Sequence, residues 1–184
     1  MAIVGRKDDA DKPDWSLIPL WTLPWLRRVS FKPVKKVITV TANLSEYQAI
    51  WWPEEEEDEL GRRLVTEMRS RYLANTLVSG LSCMGYKTLE EGLEHLIPVL
   101  AHGAKKYGRF NWRHVAPERY LAAAVRHLYA WERGELVDEE SGLHPGLHAL
   151  ACVLILLGLE SNDEKYRNDK SGDYGLPDVP GSTV

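Results

Sequence analysis

The sequence predicts a mainly α protein, a four-helix bundle with a small β-hairpin insertion. Four segments repeat apolar residues at helical spacing, while a single stretch is rich in β-branched and aromatic residues. The connectors between the last three helical segments are short, which favours antiparallel neighbours. With 184 residues, 44% hydrophobic and 27% charged, the chain is long and apolar enough for one packed domain over residues 1–184.

Each predicted helix has its own start signal. Pro53 precedes an acidic run at 54–59, and acidic side chains favour a helix N-terminus through the helix dipole. The second helix begins at Thr88, which forms a capping-box pattern with Glu91. The third opens at Pro117 and ends at Gly134. The fourth spans residues 145–160 and is apolar almost all round, so we predict that it is the most buried.

The remaining segments are assigned from their composition. Residues 1–14 are polar and are expected to form a flexible arm, and residues 161–184 a disordered tail. Residues 15–25 combine Trp, Leu and Pro, which predicts an ordered, extended segment lying against the core. Residues 34–52 contain two strand-like runs around a turn and supply the predicted hairpin.

The overall composition excludes several classes of function. A net charge of -4 argues against a surface that binds nucleic-acid polymers. The longest apolar run, residues 149–157, is about half of what a membrane span needs. Cys83 and Cys152 lie in apolar or small-residue contexts, which predicts free thiols in a reducing compartment. We therefore expect a cytoplasmic protein.

Two groups of carboxylates are candidates for a metal site. Glu91 and Glu94 belong to an EExxE motif, and Glu135 and Asp138 form an ExxD motif. Carboxylates three residues apart share one face of a helix, and two such pairs facing each other would suit Mg²⁺. The alternative is that these are solvated glutamates, with Glu91 serving only as the capping-box residue.

A second candidate is the loop GAKKYGRFNW at residues 103–112. Its cations, Lys105, Lys106 and Arg109, could hold phosphates, and its aromatic residues could stack on a base. The alternative is a basic helix end that complements the helix dipole.

Histidines form the third candidate. His127 lies within the third predicted helix at the edge of its apolar stripe, and His144 and His148 flank the start of the fourth. With Asp138 and Glu140 between them, they form a polar cluster that an apolar bundle does not need. The alternative for each histidine is a hydrogen-bonded core residue.

Several stretches together resemble a known family. DKPDWSLIP at 11–19, LEHLIPVLAHGAKKYGRFNW at 93–112 and the block from RYLAAAVRHLYAW to LLGLE at 119–160 resemble virus-encoded dATP/dGTP pyrophosphohydrolases. That family, called MazZ-like, is grouped with the all-α, MazG-like nucleotide pyrophosphohydrolases. In typical relatives the first and second blocks are nearly adjacent. The resemblance therefore implies that residues 20–89, with the hairpin and the acidic helix, are an insertion.

The resemblance also implies an activity and a set of site residues. The activity is hydrolysis of dGTP or dATP to the monophosphate and pyrophosphate, with Mg²⁺ or alternatively Mn²⁺, in a homo-oligomer. In related phages this step supplies dGMP for 2-aminoadenine nucleotides. The implied catalytic residues are Asp138, Glu135 and His127, and the implied metal ligands are Glu91, Glu94, Glu135 and Asp138. The implied substrate-binding residues are Lys105, Lys106, Tyr107, Asn111, Trp112, Arg126, Glu140 and His148.

Two other functions remain open from the residues alone. One is a phosphohydrolase that holds a transition metal with His127, His148 and Asp138. The other is a non-catalytic helical module that binds a nucleotide or docks a partner through its acidic run.

Overall fold

A computed structural model describes residues 13–31 and 59–161, and the mainly α prediction is confirmed over these residues. They form one short helix and four long ones: α1 (Leu23–Leu26), α2 (Glu59–Cys83), α3 (Leu89–Tyr107), α4 (Pro117–Glu132) and α5 (Pro145–Glu160). Short 3-10 turns occur at Trp15–Leu17, Leu20–Thr22 and Asn111–His114. The predicted hairpin, most of the predicted arm, the acidic run up to Asp58 and almost all of the predicted tail lie outside the described residues.

Helix α5 forms the centre of the bundle, as its apolar sequence predicts. It contacts α2, α3 and α4, and Leu150, Leu154 and Leu156 have no exposed surface. Such an all-round apolar helix is stable only when its neighbours cover every face. Within the described residues, no helix is long and apolar enough to cross a membrane.

Helix α2 packs against α5 through a buried stripe that includes Leu73, Leu77 and Leu81. Gly80 lies on this interface, where a methyl group in place of its hydrogen would overlap the Leu150 side chain. Met68 lies at helical spacing from Leu64 and Tyr72 in the sequence, which predicts a place on the same stripe, but it is 46% exposed and lies outside the buried surface of α2.

Helix α3 begins and ends at residues whose sequence signals predict its bounds. The Thr88 hydroxyl accepts a hydrogen bond from the Glu91 backbone N–H at 3.1 Å, and the Glu91 carboxylate accepts one from the Lys87 N–H at 2.8 Å. The Thr88 half of the capping box is confirmed, while the reciprocal bond from Glu91 goes to Lys87, one residue before the N-cap. The helix ends at Gly108, whose φ of +95° favours glycine. Lys105 and Lys106 lie in the last turn, where they complement the helix dipole.

The N-terminal strap (residues 13–31) is ordered against the core, but the predicted extended conformation is wrong. It consists of two 3-10 turns and α1, because prolines fix φ at a value that also suits the first residues of a helix. Trp21 Nε1 donates a hydrogen bond to the Gly158 carbonyl of α5 at 2.9 Å, and Leu26 is 1% exposed. The strap therefore completes the core beside α5.

Candidate functional site

A cavity of about 680 Å³ opens between α3, α4 and α5. The loop at residues 108–115, the α4–α5 connector (residues 133–144) and Leu17 of the strap complete its wall. Nine of the residues predicted for the site line it: Lys106, Tyr107, Asn111, Trp112, Arg126, His127, Asp138, Glu140 and His148. The fold therefore brings together segments that are up to about 40 positions apart in the sequence.

Asp138 is held in the connector by a dense set of hydrogen bonds. Its Oδ1 accepts from the backbone N–H of Glu140 at 3.2 Å and of Ser141 at 3.0 Å. The Ser141 hydroxyl lies 2.9 Å from the same oxygen and 2.6 Å from His148 Nε2. Asp138 Oδ1 and His148 Nε2 are themselves 3.9 Å apart. Ser141 therefore bridges the connector to the first turns of α5.

Three histidines meet at this part of the cavity. The rings of His127 and His148 stack with centroids 4.9 Å apart, and His102 meets His148 edge-on at 6.5 Å. His102 also places Nε2 3.7 Å from a carboxylate oxygen of Glu140, which forms an ion pair with Lys106. These contacts tie the end of α3 to the connector.

The charges in this cluster shift one another's pKa values. Burial lowers the pKa of His148, and the neighbouring His127 lowers it further. Burial also lowers the pKa of His127, although Asp138 opposes that shift. For Asp138, burial acts to raise the pKa, but hydrogen bonds from Ser141 and the charges of His148 and His127 outweigh it and leave the pKa lowered. Near neutral pH the cluster therefore combines the neutral imidazoles of His127 and His148 with the ionised carboxylate of Asp138.

The loop at residues 108–115 is fixed by the strap. Phe110 has a φ of +60°, Trp112 lies 6.1 Å from Trp21 between ring centroids, and Arg109 bonds Asp14 at 3.1 Å. Arg109 also contacts the Ser16 hydroxyl. The Arg109 guanidinium, a candidate phosphate ligand in the sequence, is therefore engaged with the strap.

The four carboxylates implied as metal ligands do not form one group among the described residues. Residues 91 and 106 are 15 positions apart, so Glu91 lies about 22 Å along α3 from the Lys106 end of the cavity. Glu91 caps α3, and Glu94 is exposed on its next turn. Within the described residues no group of three or more His, Cys, Asp or Glu side chains is placed to hold a metal.

The ExxD motif is not helical, which corrects the interpretation that its two carboxylates share a helix face. Helix α4 ends at Glu132, and Gly134 turns the chain with a φ of +83°. Glu135 pairs with Arg133 at 2.7 Å and lines a neighbouring cavity of about 500 Å³, which it shares with Asp138. Lys105, also predicted for the site, does not line the larger cavity.

The alternative transition-metal site of His127, His148 and Asp138 brings the right residues together without a metal-binding arrangement. The two imidazole rings stack face to face at an interplanar angle of 25°. His148 Nε2 is hydrogen-bonded to the Ser141 hydroxyl. A stacked pair does not direct its ring nitrogens at one point.

Four polar residues of the cavity were missed from the sequence: His102, Arg119, Tyr120 and Cys152. Arg119 precedes Arg126 by seven positions, a spacing that places both on one helix face and could have revealed it. Burial, with a smaller effect of Cys152, raises the pKa of Tyr120 to about 12, so its phenol remains a hydrogen-bond donor. His102 carries no such spacing signal.

Comparison with known proteins shows which family the cavity-forming segment is similar to. Residues 85–169 match the profile of the family described as dATP/dGTP diphosphohydrolase, N-terminal. A dATP/dGTP diphosphohydrolase of Salmonella phage PMBT28 is 39% identical over 86 residues, which are 47% of this chain and 29% of that protein. The chain thus spans less than a third of that relative's length. No solved structure matches the chain significantly.

The resemblance found in the sequence is therefore confirmed. Residues 85–169 are similar to the dATP/dGTP diphosphohydrolase N-terminal family and to the phage protein of that name. The matched segment contains α3, α4 and α5 together with the loop and the connector between them. These elements supply every wall of the cavity except Leu17.

Proposed function

We propose that this protein hydrolyses dATP or dGTP between the α- and β-phosphates, releasing the monophosphate and pyrophosphate. The observation that carries the proposal is that the segment shared with dATP/dGTP diphosphohydrolases is also the segment that encloses the cavity. A cavity of about 680 Å³ has the size of a small-molecule site.

The lining side chains match the parts of a nucleotide. Lys106, Arg119 and Arg126 are cations suited to a triphosphate, and no ion pair of either arginine occurs within residues 13–31 and 59–161. Trp112 offers an aromatic face for a base, and the Asn111 amide can both donate to and accept from its edge. Positioning and charge stabilisation of this kind carry most phosphoryl-transfer catalysis.

Magnesium belongs to the same proposal. Asp138 and Glu140 offer carboxylate oxygens in the cavity, and Mg²⁺ is commonly bound by one or two carboxylates together with substrate phosphates. These two residues therefore fit the ion, and Glu91 and Glu94 are not needed for it. Bound there, Mg²⁺ would neutralise phosphate charge and polarise the phosphoryl group. Lys106, paired with Glu140, keeps that carboxylate oriented beside the cavity.

The test is a turnover screen of the eight common ribo- and deoxynucleoside triphosphates with Mg²⁺. We expect pyrophosphate release that is fastest with dGTP or dATP and is abolished by a chelator. Release of orthophosphate alone would contradict the proposed bond cleavage. Calorimetric binding of dGTP without turnover under any divalent ion would instead support the non-catalytic module.

We also propose a homo-oligomer and a role in supplying dGMP for modified-purine nucleotides in a phage. Tyr129, Leu136 and Val137 are exposed apolar side chains at the end of α4 and in the connector, and such side chains favour association. Light scattering should give a mass above one chain. A monomeric, fully active protein would contradict the assembly.

A further inference from the structure

The Ser141 hydroxyl joins two functional side chains that do not touch at hydrogen-bond distance. It lies 2.9 Å from Asp138 Oδ1 and 2.6 Å from His148 Nε2, and it accepts a hydrogen bond from the Leu143 backbone N–H at 3.2 Å. A serine hydroxyl has one proton to donate and two lone pairs to accept with. Three partners therefore fill its capacity.

The identity of the partners decides where the protons lie. The Asp138 carboxylate can only accept, so the Ser141 proton must point to Asp138, and the Leu143 N–H fills one lone pair. The remaining lone pair faces His148 Nε2, which must then carry a proton and donate it. If the Ser141 proton instead pointed to His148, the Ser141 and Asp138 oxygens would face each other at 2.9 Å with no proton between them.

From this hydrogen-bond geometry we infer that Ser141 is a positioning residue, which holds His148 as the Nε2–H tautomer and leaves its Nδ1 as a hydrogen-bond acceptor. His148 lines the cavity, and no hydrogen bond to its Nδ1 occurs in the described parts of the chain. Resting on the proposed function, the inference gives Nδ1 the role of accepting a proton or hydrogen bond from the nucleotide or its water.

The rings of His127 and His102 help to fix the orientation of His148. His127 stacks on the face of His148, and His102 meets its edge. These contacts restrict rotation of the His148 ring about its Cβ–Cγ bond. Asp138 in turn is fixed by two backbone N–H groups of its own connector. Ser141 therefore transmits a fixed orientation from the connector to α5, much as a carboxylate orients a functional histidine elsewhere.

The direct test is nitrogen-15 NMR of the full chain above the usual histidine pKa of about 6.5, with His148 assigned from a His148→Gln spectrum. We expect the proton on Nε2 in the wild type. Ser141→Ala should shift the population toward Nδ1–H, while Ser141→Thr, which keeps the hydroxyl, should preserve Nε2–H. A wild-type Nδ1–H tautomer would overturn the inference whether or not the protein hydrolyses dGTP.

Turnover provides the second measurement. Ser141→Ala should lower kcat by about tenfold to a hundredfold, the usual effect of removing the hydrogen-bond partner of a functional histidine, with a smaller change in KM. Ser141→Thr should restore most of the rate. Ser161→Ala is the matched control, because it removes a hydroxyl bonded to the Leu157 carbonyl at the far end of α5. An unchanged kcat in Ser141→Ala, with the tautomer shifted, would overturn the positioning role.

Discussion

Asp138 is the residue on which most of the site's contacts converge. It lines the cavity, accepts three hydrogen bonds through one oxygen and lies beside His148. Asp138→Ala should reduce turnover of dGTP by at least about a hundredfold, because the variant loses a carboxylate that we propose holds Mg²⁺ against the phosphates.

Pyrophosphate release by the purified variants measures this effect. Glu67→Ala is the matched control, since Glu67 is an exposed carboxylate on α2 that pairs with Arg71 at 3.1 Å, away from the cavity. Equal rates for the two variants would remove Asp138 from the mechanism.

Arg119 is a cation that the sequence motifs did not single out. It lines the cavity without an ion pair in the described part of the chain. Arg119→Gln should raise the KM for dGTP by about tenfold or more, because a hydrogen bond to a charged group contributes about 1.5–3 kcal/mol. Steady-state kinetics check this, with Arg71→Gln on α2 as the control. A KM that both variants leave unchanged would place the triphosphate elsewhere.

The histidine cluster predicts how stability depends on pH. The pKa values of His127 and His148 are lowered in the folded state, so the unfolded chain binds more protons just below the ordinary value of 6.5. The contribution of these two histidines to the free energy of unfolding should therefore be complete above pH 6.5. It should decrease as the pH falls through 6.5 toward their lower pKa values in the folded state.

Urea denaturation at about pH 7.5 and about pH 5 measures the decrease. His127→Gln should show a smaller decrease than the wild type, because one histidine with a lowered pKa is absent. An identical decrease in both proteins would contradict the assignment to His127.

Several residues predicted for the site line one cavity, because a motif keeps sequence neighbours together. Tyr107, Asn111 and Trp112 belong to one loop, and all three line the cavity. His102 and Ser141 were missed because their roles depend on contacts between segments, which no local spacing encodes. The Arg109 side chain likewise bonds Asp14, which lies 95 positions away in the sequence, so its engagement with the strap could not be predicted locally.

Among the elements, α2 and α5 pack closely at Gly80. Gly80→Ala would force a methyl group onto Leu150, which is fully buried and has little room to move. We expect a loss of about 1–3 kcal/mol in the free energy of unfolding, as for other overpacked cores. Gly103→Ala, in α3 with nothing within 4 Å, is the matched control and should be neutral or slightly stabilising.

Denaturant titration distinguishes these two variants. Equal stability of the two would mean that α2 can shift to accommodate the methyl group.

Element bounds were predictable where a cap or a proline sets them. The capping box at Thr88 and the prolines at 117 and 145 all mark helix starts in the structure. The strap was predicted as extended because the pattern Trp-Leu-Pro suits both an extended chain and short helical turns. The choice between them comes from contacts such as Trp21 with Gly158, which the local sequence does not contain.

At the scale of the whole molecule, the distribution of charge matters more than its sum. The chain carries a net charge of -4, yet its cavity collects Lys106, Arg119 and Arg126. A globally acidic surface repels polyanions, while a basic concave site still attracts a small one. This separation supports the proposed small anionic substrate.

The strap and α2 both lie outside the segment that matches the family, yet both contact α5. Anyone who trims an expression clone to residues 85–169 would uncover Leu150 and its neighbours and would remove Leu17 from the cavity wall. Such a fragment should aggregate or bind nucleotide poorly even if the chemistry resides entirely within it. The segment that matches the family is therefore shorter than the segment that packs around α5.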